Sequence, residues 1–188
     1  YFHGVSYDEI TNFINTGGGN SCDVMTATGN NPPSVNAGTS VTVPKSTPFQ
    51  LTGSATDPDN DPLTYQWEEM DAGPTAGSWN IGTKPFFMSY APTTSPTRLF
   101  PKLSVVLAGT YTSTPGEYLP STAQTLKFRL TARDNKMGGG GVCAATTTVT
   151  VNASAGPFAA TPRSPRAVPS GSSGRRCRLR PVVSPAGR

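Results

Sequence analysis

The sequence predicts an all-β fold, a β-sandwich of about seven strands that spans roughly residues 33–152. One reason is composition, because Gly and Pro number 20 and 19 among the 188 residues and only 14% of residues are charged. Such a composition favours short strands and turns over long helices. The second reason is that several segments alternate apolar and polar residues with the two-residue period of a half-buried strand. The length suits one ordinary domain with extensions.

The strand pattern is clearest at residues 63–69, where Leu63, Tyr65 and Trp67 share one side. Trp67 lies in the middle of this strand and is the predicted core anchor between two sheets. The segment from 134 to 141 ends in four glycines and is predicted to be a flexible hairpin loop. Further strands are predicted at residues 35–43, 49–55, 126–132 and 146–151.

The stretch between residues 70 and 124 shows no strong periodicity and is rich in Gly, Pro, Ser and Thr. A compact domain rarely tolerates so long a bare loop, so we expect short strands and an insertion packed by aromatic rings. The aromatic residues available for this packing are Trp79, Phe86, Phe87, Tyr90, Phe100, Tyr111 and Tyr118.

A short amphipathic helix is predicted at residues 5–14. Ser6 is its predicted N-cap, with Glu9 as the capping-box partner three residues later. The glycine run at 17–19 ends the helix. A helix of this length is marginal alone in water, so its apolar side needs a surface to cover. The residues of that side are Val5, Ile10, Phe13 and Ile14.

The formal net charge of +4 is unevenly distributed along the chain. Seven of the 15 basic residues follow Gly156, where there is no acidic residue, so residues 1–156 hold 8 basic and 11 acidic residues. A folded basic surface for nucleic acid is therefore not predicted. No apolar run approaches the roughly 18 residues that span a bilayer, so no membrane span is predicted. The start at Tyr1, without Met or a signal peptide, is expected of a fragment or processed product.

Residues 154–188 are predicted to be a disordered basic tail. After Thr161 the composition narrows to Arg, Pro, Ser, Gly, Ala and Val, with Cys177 and Leu179 as exceptions. Such a segment cannot bury enough apolar surface to offset the entropy of ordering it. The abrupt loss of the strand pattern motivates the hypothesis of an out-of-frame or truncated gene end. The alternative is a basic arm that binds nucleic acid or anionic lipid.

The three cysteines, Cys22, Cys143 and Cys177, are an odd number. At least one of them is free or pairs with a cysteine outside this chain. None lies in a Cys-x-x-Cys or Cys/His spacing typical of zinc sites, and His3 is the sole histidine. A metal site built from this chain would therefore use oxygen ligands.

The acidic segment Asp57-Pro-Asp-Asn-Asp-Pro62 precedes the strand that carries Trp67. Its prolines and Asx residues predict a loop at the end of a sheet. Two interpretations are open, a solvated turn and a calcium site. Calcium takes six to eight oxygen ligands at about 2.3–2.6 Å, and the alternating carboxylates of Asp57, Asp59 and Asp61 can point several oxygens at one centre. Asp134 ends another predicted strand and joins the set if both strand ends lie at one pole.

Catalytic motifs of the common kinds are not predicted in this chain. A Ser-His-Asp arrangement would have to use His3 in a terminal segment. The glycine run at 138–141 is not followed by Lys and Ser or Thr, so it does not match a phosphate-binding loop.

Residues 33–55 are followed by Thr56-Asp-Pro-Asp-Asn-Asp-Pro-Leu-Thr-Tyr-Gln-Trp67 and, later, by Phe128-Arg-Leu-Thr-Ala-Arg-Asp-Asn135. Together these segments resemble the PKD-type and related immunoglobulin-like modules of secreted bacterial proteins. In such modules an Asp-rich turn, a Tyr-x-Trp strand and a late strand ending in Asp recur. The chain departs from the plain pattern because Gly-Asp-Gly does not follow Trp67 and a long insertion does.

The amino-terminal run Tyr1-Phe-His-Gly-Val-Ser-Tyr-Asp-Glu-Ile-Thr-Asn-Phe13, with Gly18-Gly-Asn-Ser-Cys22, is similar to the end of reprolysin-like bacterial zinc metallopeptidases. It matches their last helix and closing cysteine. In that family an immunoglobulin-like module follows the catalytic domain. The His-Glu-x-x-His-x-x-Gly-x-x-His zinc site is absent from this chain. The resemblance therefore implies a chain that is not itself a peptidase, with zinc only in a missing catalytic domain.

The resemblance implies three regions. Residues 1–32 correspond to the remnant of the metallopeptidase domain, residues 33–153 to an immunoglobulin-like β-sandwich and residues 154–188 to the basic tail. It also implies a secreted bacterial protein, with the disulfide partner of Cys22 in the missing domain. The expected function is a non-catalytic accessory module, whose partners are its own catalytic domain and extracellular protein or polysaccharide. The alternative is a free-standing adhesion or carbohydrate-binding module, which exposed aromatics such as Trp79 or Tyr90 would favour.

Overall fold

The computed structural model describes residues 2–21, 26–72 and 85–158. Two α-helices, α1 (Gly4–Asn15) and α2 (Leu103–Ala108), and one 3-10 turn at Gly18–Ser21 accompany the strands. The eight strands are β1 (Ser34–Asn36), β2 (Val41–Pro44), β3 (Phe49–Thr52), β4 (Ser54–Thr56), β5 (Thr64–Glu69), β6 (Thr97–Phe100), β7 (Gln124–Arg133) and β8 (Val142–Asn152).

The strands form one four-stranded sheet, in the order β2-β8-β7-β5, and two small sheets, β1-β4 and β3-β6. All pairs are antiparallel except β2 with β8, which run parallel. The predicted β-rich fold with a short N-terminal helix is thus confirmed, and the arrangement is compatible with a sandwich. Neither helix of the described residues has the length and apolar character needed to cross a bilayer.

The core lies between the four-stranded sheet and the β3-β6 pair. Phe49 of β3 and Phe100 of β6 contact Phe128 of β7, with ring centroids 5.8 and 4.8 Å apart. Trp67 of β5 is 3% exposed within the same cluster, which confirms it as a core residue. Its indole Nε1 donates a hydrogen bond to the Pro96 carbonyl at 2.9 Å, so the ring is satisfied at both its apolar and its polar end.

Two predicted strands are each divided in the structure. The segment predicted at 35–43 becomes β1 and β2, with Gly38 in the left-handed region (φ 78°) between them. The segment predicted at 49–55 becomes β3 and β4 at Gly53, whose amide donates to the Pro96 carbonyl. A side chain at Gly53 would collide with that of Leu130 and lie 2.8 Å from the Asn36 carbonyl oxygen. Close packing against β7 therefore requires glycine here.

The described part of the long irregular region packs as expected. Phe86, Phe87 and Phe100 are 2% exposed or less. Oε2 of the partly buried Glu69 side chain accepts hydrogen bonds from the amides of Phe86 and Phe87 at 2.7 and 2.8 Å. These bonds fix where the two rings enter the core. Helix α2 was not predicted, because its six residues are too few for a periodic signal. Trp79, Cys22, Cys177 and residues 159–188 of the predicted tail lie outside the described residues.

The predicted helix is confirmed as α1, but its predicted cap is wrong. The N-cap position is His3, and no side chain caps the helix locally, so Ser6 and Glu9 do not form a capping box. The Glu68 carboxylate of β5 takes that role and accepts the Gly4 amide at 2.9 Å. A carboxylate at the N-terminus of a helix accepts a hydrogen bond from a backbone amide that has no partner within the helix. Its negative charge also interacts favourably with the positive end of the helix macrodipole.

Helix α1 docks on the sheet through polar contacts. The Arg129 guanidinium binds both oxygens of Asp8, with Nη2 2.9 Å from Oδ1. Arg129 and Glu68 are cross-strand partners of β7 and β5 on the face opposite Trp67. Both are buried, at 8% and 4% exposed, and both make hydrogen bonds to the start of α1. We call the contacts of Glu68 and Arg129 with α1 the helix clamp.

Replacing Trp67 with alanine should lower the free energy of unfolding by about 3–5 kcal/mol, because it removes a large buried ring and leaves a cavity. Urea or thermal denaturation measures this loss. The control is Leu107→Ala, at a side chain that is 78% exposed, which should change stability by no more than about 0.5 kcal/mol. Equal stability of the two variants would contradict the assignment of Trp67 to the core.

The helix clamp should give stability a defined pH dependence. The hydrogen bond from Arg129 lowers the pKa of Asp8 below its ordinary value of 3.8. A lowered carboxyl pKa contributes stability above the unfolded pKa and loses it as pH falls through the folded one. The free energy of unfolding of Asp8→Asn should therefore lie about 1 kcal/mol below that of the wild type at pH 7. This difference should shrink as the pH falls below 3.8 and through the lowered pKa of Asp8. A difference that persists undiminished at low pH would contradict the clamp.

Candidate functional site

The acidic loop is a hydrogen-bonded turn that gathers three carboxylates. One oxygen of each of Asp57, Asp59 and Asp61 lies within 4.8 Å of the others. Oδ1 of Asp57 accepts the backbone amides of Asp59 and Asp61 at 2.9 and 3.1 Å. Asn60 occupies the left-handed region at φ 60°, which Asn tolerates better than most residues. The local sequence thus builds an Asx-type turn that aims its carboxylates together.

Two of these carboxylates also have partners outside the turn. Asp59 Oδ2 accepts the backbone amide of Asn31 at 2.7 Å, and this bond is the main reason that the pKa of Asp59 is lowered. Asp61 pairs with the Lys136 ammonium at 2.9 Å, a bond that raises the pKa of Lys136. The Lys136 ammonium therefore serves as a counterion for the acidic loop. Repulsion between the carboxylates is relieved without a metal.

Asp134 lies at the same pole but outside the group of three. Its side chain is 1% exposed, and both oxygens accept the Gly141 amide at 2.8 Å. Further bonds come from the side chain of Asn30 at 2.7 Å and the amide of Lys136 at 3.1 Å. Burial raises the pKa of Asp134, but these bonds together lower it more. Asp134 thus closes the predicted loop at 134–141, a role that needs no ion.

A cation could bind the acidic loop through atoms that the protein leaves unsatisfied. Oδ2 of Asp57 is buried and has no hydrogen-bond partner among the described residues. The same holds for Oδ1 of Asn30, beside Asp134. Carboxylate and amide oxygens are the donors that calcium prefers. A calcium ion would still have to compete with Lys136 for Asp61.

The structure brings His3, Glu68 and Ser89 together, a grouping that sequence spacing could not reveal. Glu68 Oε1 and Ser89 Oγ lie 3.0 and 2.8 Å from the same ring nitrogen, Nδ1 of His3. In a nucleophile relay the acid and the serine use opposite ring nitrogens, because the base must pass a proton between them. This geometry does not match a relay and is instead part of the junction between α1 and β5.

A third polar cluster surrounds Glu117, which is 0% exposed. Its carboxylate accepts the Tyr90 hydroxyl at 2.6 Å and the Lys102 amide at 2.7 Å, and the Arg98 guanidinium lies 3.5 Å away. Burial is the main reason that the pKa of Tyr90 rises to about 12. Tyr90 was predicted as a stacking ring in the carbohydrate-binding alternative. The role of Glu117 was not predicted, because a lone Glu in an irregular region gives no pattern in the sequence.

Comparisons with protein-family models, with curated proteins and with solved structures found no match to this chain. The resemblance to immunoglobulin-like modules and to metallopeptidases therefore stays a prediction based on the motifs quoted above.

We propose that the acidic loop binds calcium, and we expect calcium to raise the melting temperature of the protein. A ligand that binds only the native state stabilises it by about 2.7 kcal/mol at a hundredfold excess over Kd. Lys136→Met removes the competing ammonium and should tighten binding. Asp57→Asn should weaken binding while keeping the turn, because Oδ1 can still accept its two amides.

Magnesium at the same concentration is the control, because the irregular oxygen set suits the flexible coordination of calcium better than an octahedral ion. Melting curves that calcium leaves unchanged in both the wild type and Lys136→Met would identify the loop as a solvated turn.

Proposed function

We propose that this chain is the non-catalytic, immunoglobulin-like accessory module of a secreted bacterial zinc metallopeptidase. Two lines of support come together. The motifs quoted above resemble such a module and the helix that precedes it. The described residues form a β-rich domain with a short helix before its first strand. In this proposal the module holds the catalytic domain near polymeric substrate or a surface.

The observation that carries the proposal is the orientation of α1. The helix clamp ties its polar side to the outer face of β5 and β7. Space at this contact is limited, because a Cβ at Gly4 would lie 3.0 Å from the Glu68 carboxylate and 3.1 Å from Arg129. The clamp therefore fixes the first turns of the helix on the sheet.

The apolar side of α1 is left outside. Large apolar side chains of α1, together with Phe2 just before it, are 42–64% exposed among the described residues: Phe2, Val5, Ile10, Phe13 and Ile14. An amphipathic helix normally turns its apolar side toward a core, and a contiguous exposed patch marks an interaction site. In α1 the polar side faces the sheet and the apolar side faces outward. The proposal explains this orientation, because a preceding catalytic domain would pack on the apolar side.

The zinc chemistry would come from the parent protein. A hydrolytic zinc site needs three protein ligands and an open position for water. This chain has one histidine, His3, and its Nδ1 is bonded to Glu68 and Ser89. The chain would therefore position the enzyme and leave bond cleavage to the preceding domain.

The adhesion or carbohydrate-binding alternative depends on free aromatic faces. Tyr90 is half-buried, and its ring already packs against Arg98 and Lys102, at 4.8 and 5.2 Å from the centroid. Its hydroxyl is bonded to Glu117. Tyr90 is thus poorly placed as an open platform for sugar stacking, and the described residues favour the accessory module.

We expect the coding sequence directly upstream of Tyr1 to encode a domain with the His-Glu-x-x-His-x-x-Gly-x-x-His motif. The joined protein should cleave polymeric protein and lose this activity on chelation of zinc. Removing residues 33–158 should lower kcat/KM for the polymeric substrate about tenfold, because the module raises the local concentration of substrate. A short peptide substrate is the control and should be cleaved equally well.

An unrelated upstream domain would refute the proposal, as would peptidase activity of this chain alone. Asp8→Asn in the joined protein tests the junction separately. It should loosen the coupling between the two domains, seen as two separate melting transitions where the wild type shows one.

A further inference from the structure

A cleft of about 310 Å³ lies beside β5 and β6, away from both the acidic loop and α1. Its size is at the lower end of the range for sites that bind small molecules. The walls are largely apolar, and the lining includes Thr93 and Ser95, which carry hydroxyl groups. The other lining residues relevant to binding are Tyr65, Trp67, Tyr90, Leu99 and Leu103.

Hydrogen bonds within the protein fix the walls of the cleft in advance. Glu117 holds the Tyr90 hydroxyl and the Lys102 amide in place. Arg98 donates to the carbonyls of Trp67 and Met88 at 2.8 and 2.6 Å. A site whose walls need no rearrangement loses less entropy when a ligand binds. The cleft is therefore a preformed cavity.

The charges around the cleft do not balance. Arg98 is committed to the buried carboxylate of Glu117, so these two charges offset each other. Lys102 also lines the cleft, and its side chain is exposed. Its ammonium lies 5.2 Å from the centre of the Tyr90 ring, and it makes no ion pair with any carboxylate of the described residues. One positive charge thus stands beside an apolar cavity.

We propose that this cleft binds a small organic anion, with an apolar body of about the size of a phenyl ring and one carboxylate. The body would bury apolar surface against Leu99 and Leu103 and pack beside Tyr65. The carboxylate would pair with the Lys102 ammonium at the mouth. Free aromatic acids and the C-terminal aromatic residue of a peptide share this chemistry. The inference does not rest on the proposed function.

The test compares 3-phenylpropanoate with 3-phenylpropanamide, which has nearly the same shape and no charge. Binding is followed by heteronuclear NMR of the Trp67 indole N–H and of the Thr93 and Leu99 amides. The acid should bind about fivefold more tightly than the amide, the effect of one exposed charge pair. Lys102→Met should remove this preference and keep the weaker binding of the amide.

Two further variants keep the test independent of folding. Lys127→Met changes an exposed lysine of β7 that does not line the cleft, and it should preserve the preference for the acid. Ala91→Trp fills the cleft from an exposed lining position and should abolish binding of both compounds. The peptide Gly-Gly-Gly-Phe distinguishes the two sources of the anion. Binding as tight as that of the acid supports a peptide C-terminus, and absence of binding supports a free acid.

Two results would overturn the inference. One is the absence of any shift at Trp67, Thr93 and Leu99 with either compound. The other is a preference for the acid that survives in Lys102→Met, because the carboxylate would then bind elsewhere.

Discussion

The whole arrangement depends on β5 being buried on both of its faces. On one face Trp67 fills the core between the sheets, and on the other Glu68 is 4% exposed beneath the start of α1. Adjacent residues of a strand point to opposite faces, so two successive positions join the core to the helix. Pairing with β7 extends both contacts, because Leu130 and Arg129 lie opposite these two residues. A shift of one residue in this register would exchange the apolar and the charged face.

Buried charge is handled in this chain mainly by matching each group with a partner. Arg129 has Asp8, Glu117 has Arg98, and Asp134 has backbone amides. Breaking such a pair leaves an uncompensated charge, so these contacts constrain geometry more than they add net stability. Two groups depart from this pattern among the described residues: the exposed Lys102 ammonium, which has no carboxylate partner, and the buried Asp57 oxygen Oδ2, which has no hydrogen-bond partner. These departures are the places where a ligand would complete the electrostatics.

Much of the fold followed from periodicity and composition. The strands that carry Trp67 and Phe128 were predicted because they alternate regularly over six residues or more. The acidic loop was predicted because Asp, Asn and Pro determine turn geometry locally. The division of two predicted strands was not foreseen. At Gly53 the break depends on contact with Leu130, a residue far away in sequence, and no local pattern records such a contact.

The sequence alone therefore determined the features that depend on residues close together in the chain. These features are the β-rich class, the helix at residues 4–15, the acidic turn and the core position of Trp67. Only the tertiary structure decided which partners the charged residues take. The cap of α1 comes from Glu68, 64 residues away from Gly4, and the carboxylate that orders the cleft beside Tyr90 comes from Glu117. The physical reason is that a hydrogen bond or ion pair depends on distance in space, which the chain path sets only once the sheets have packed.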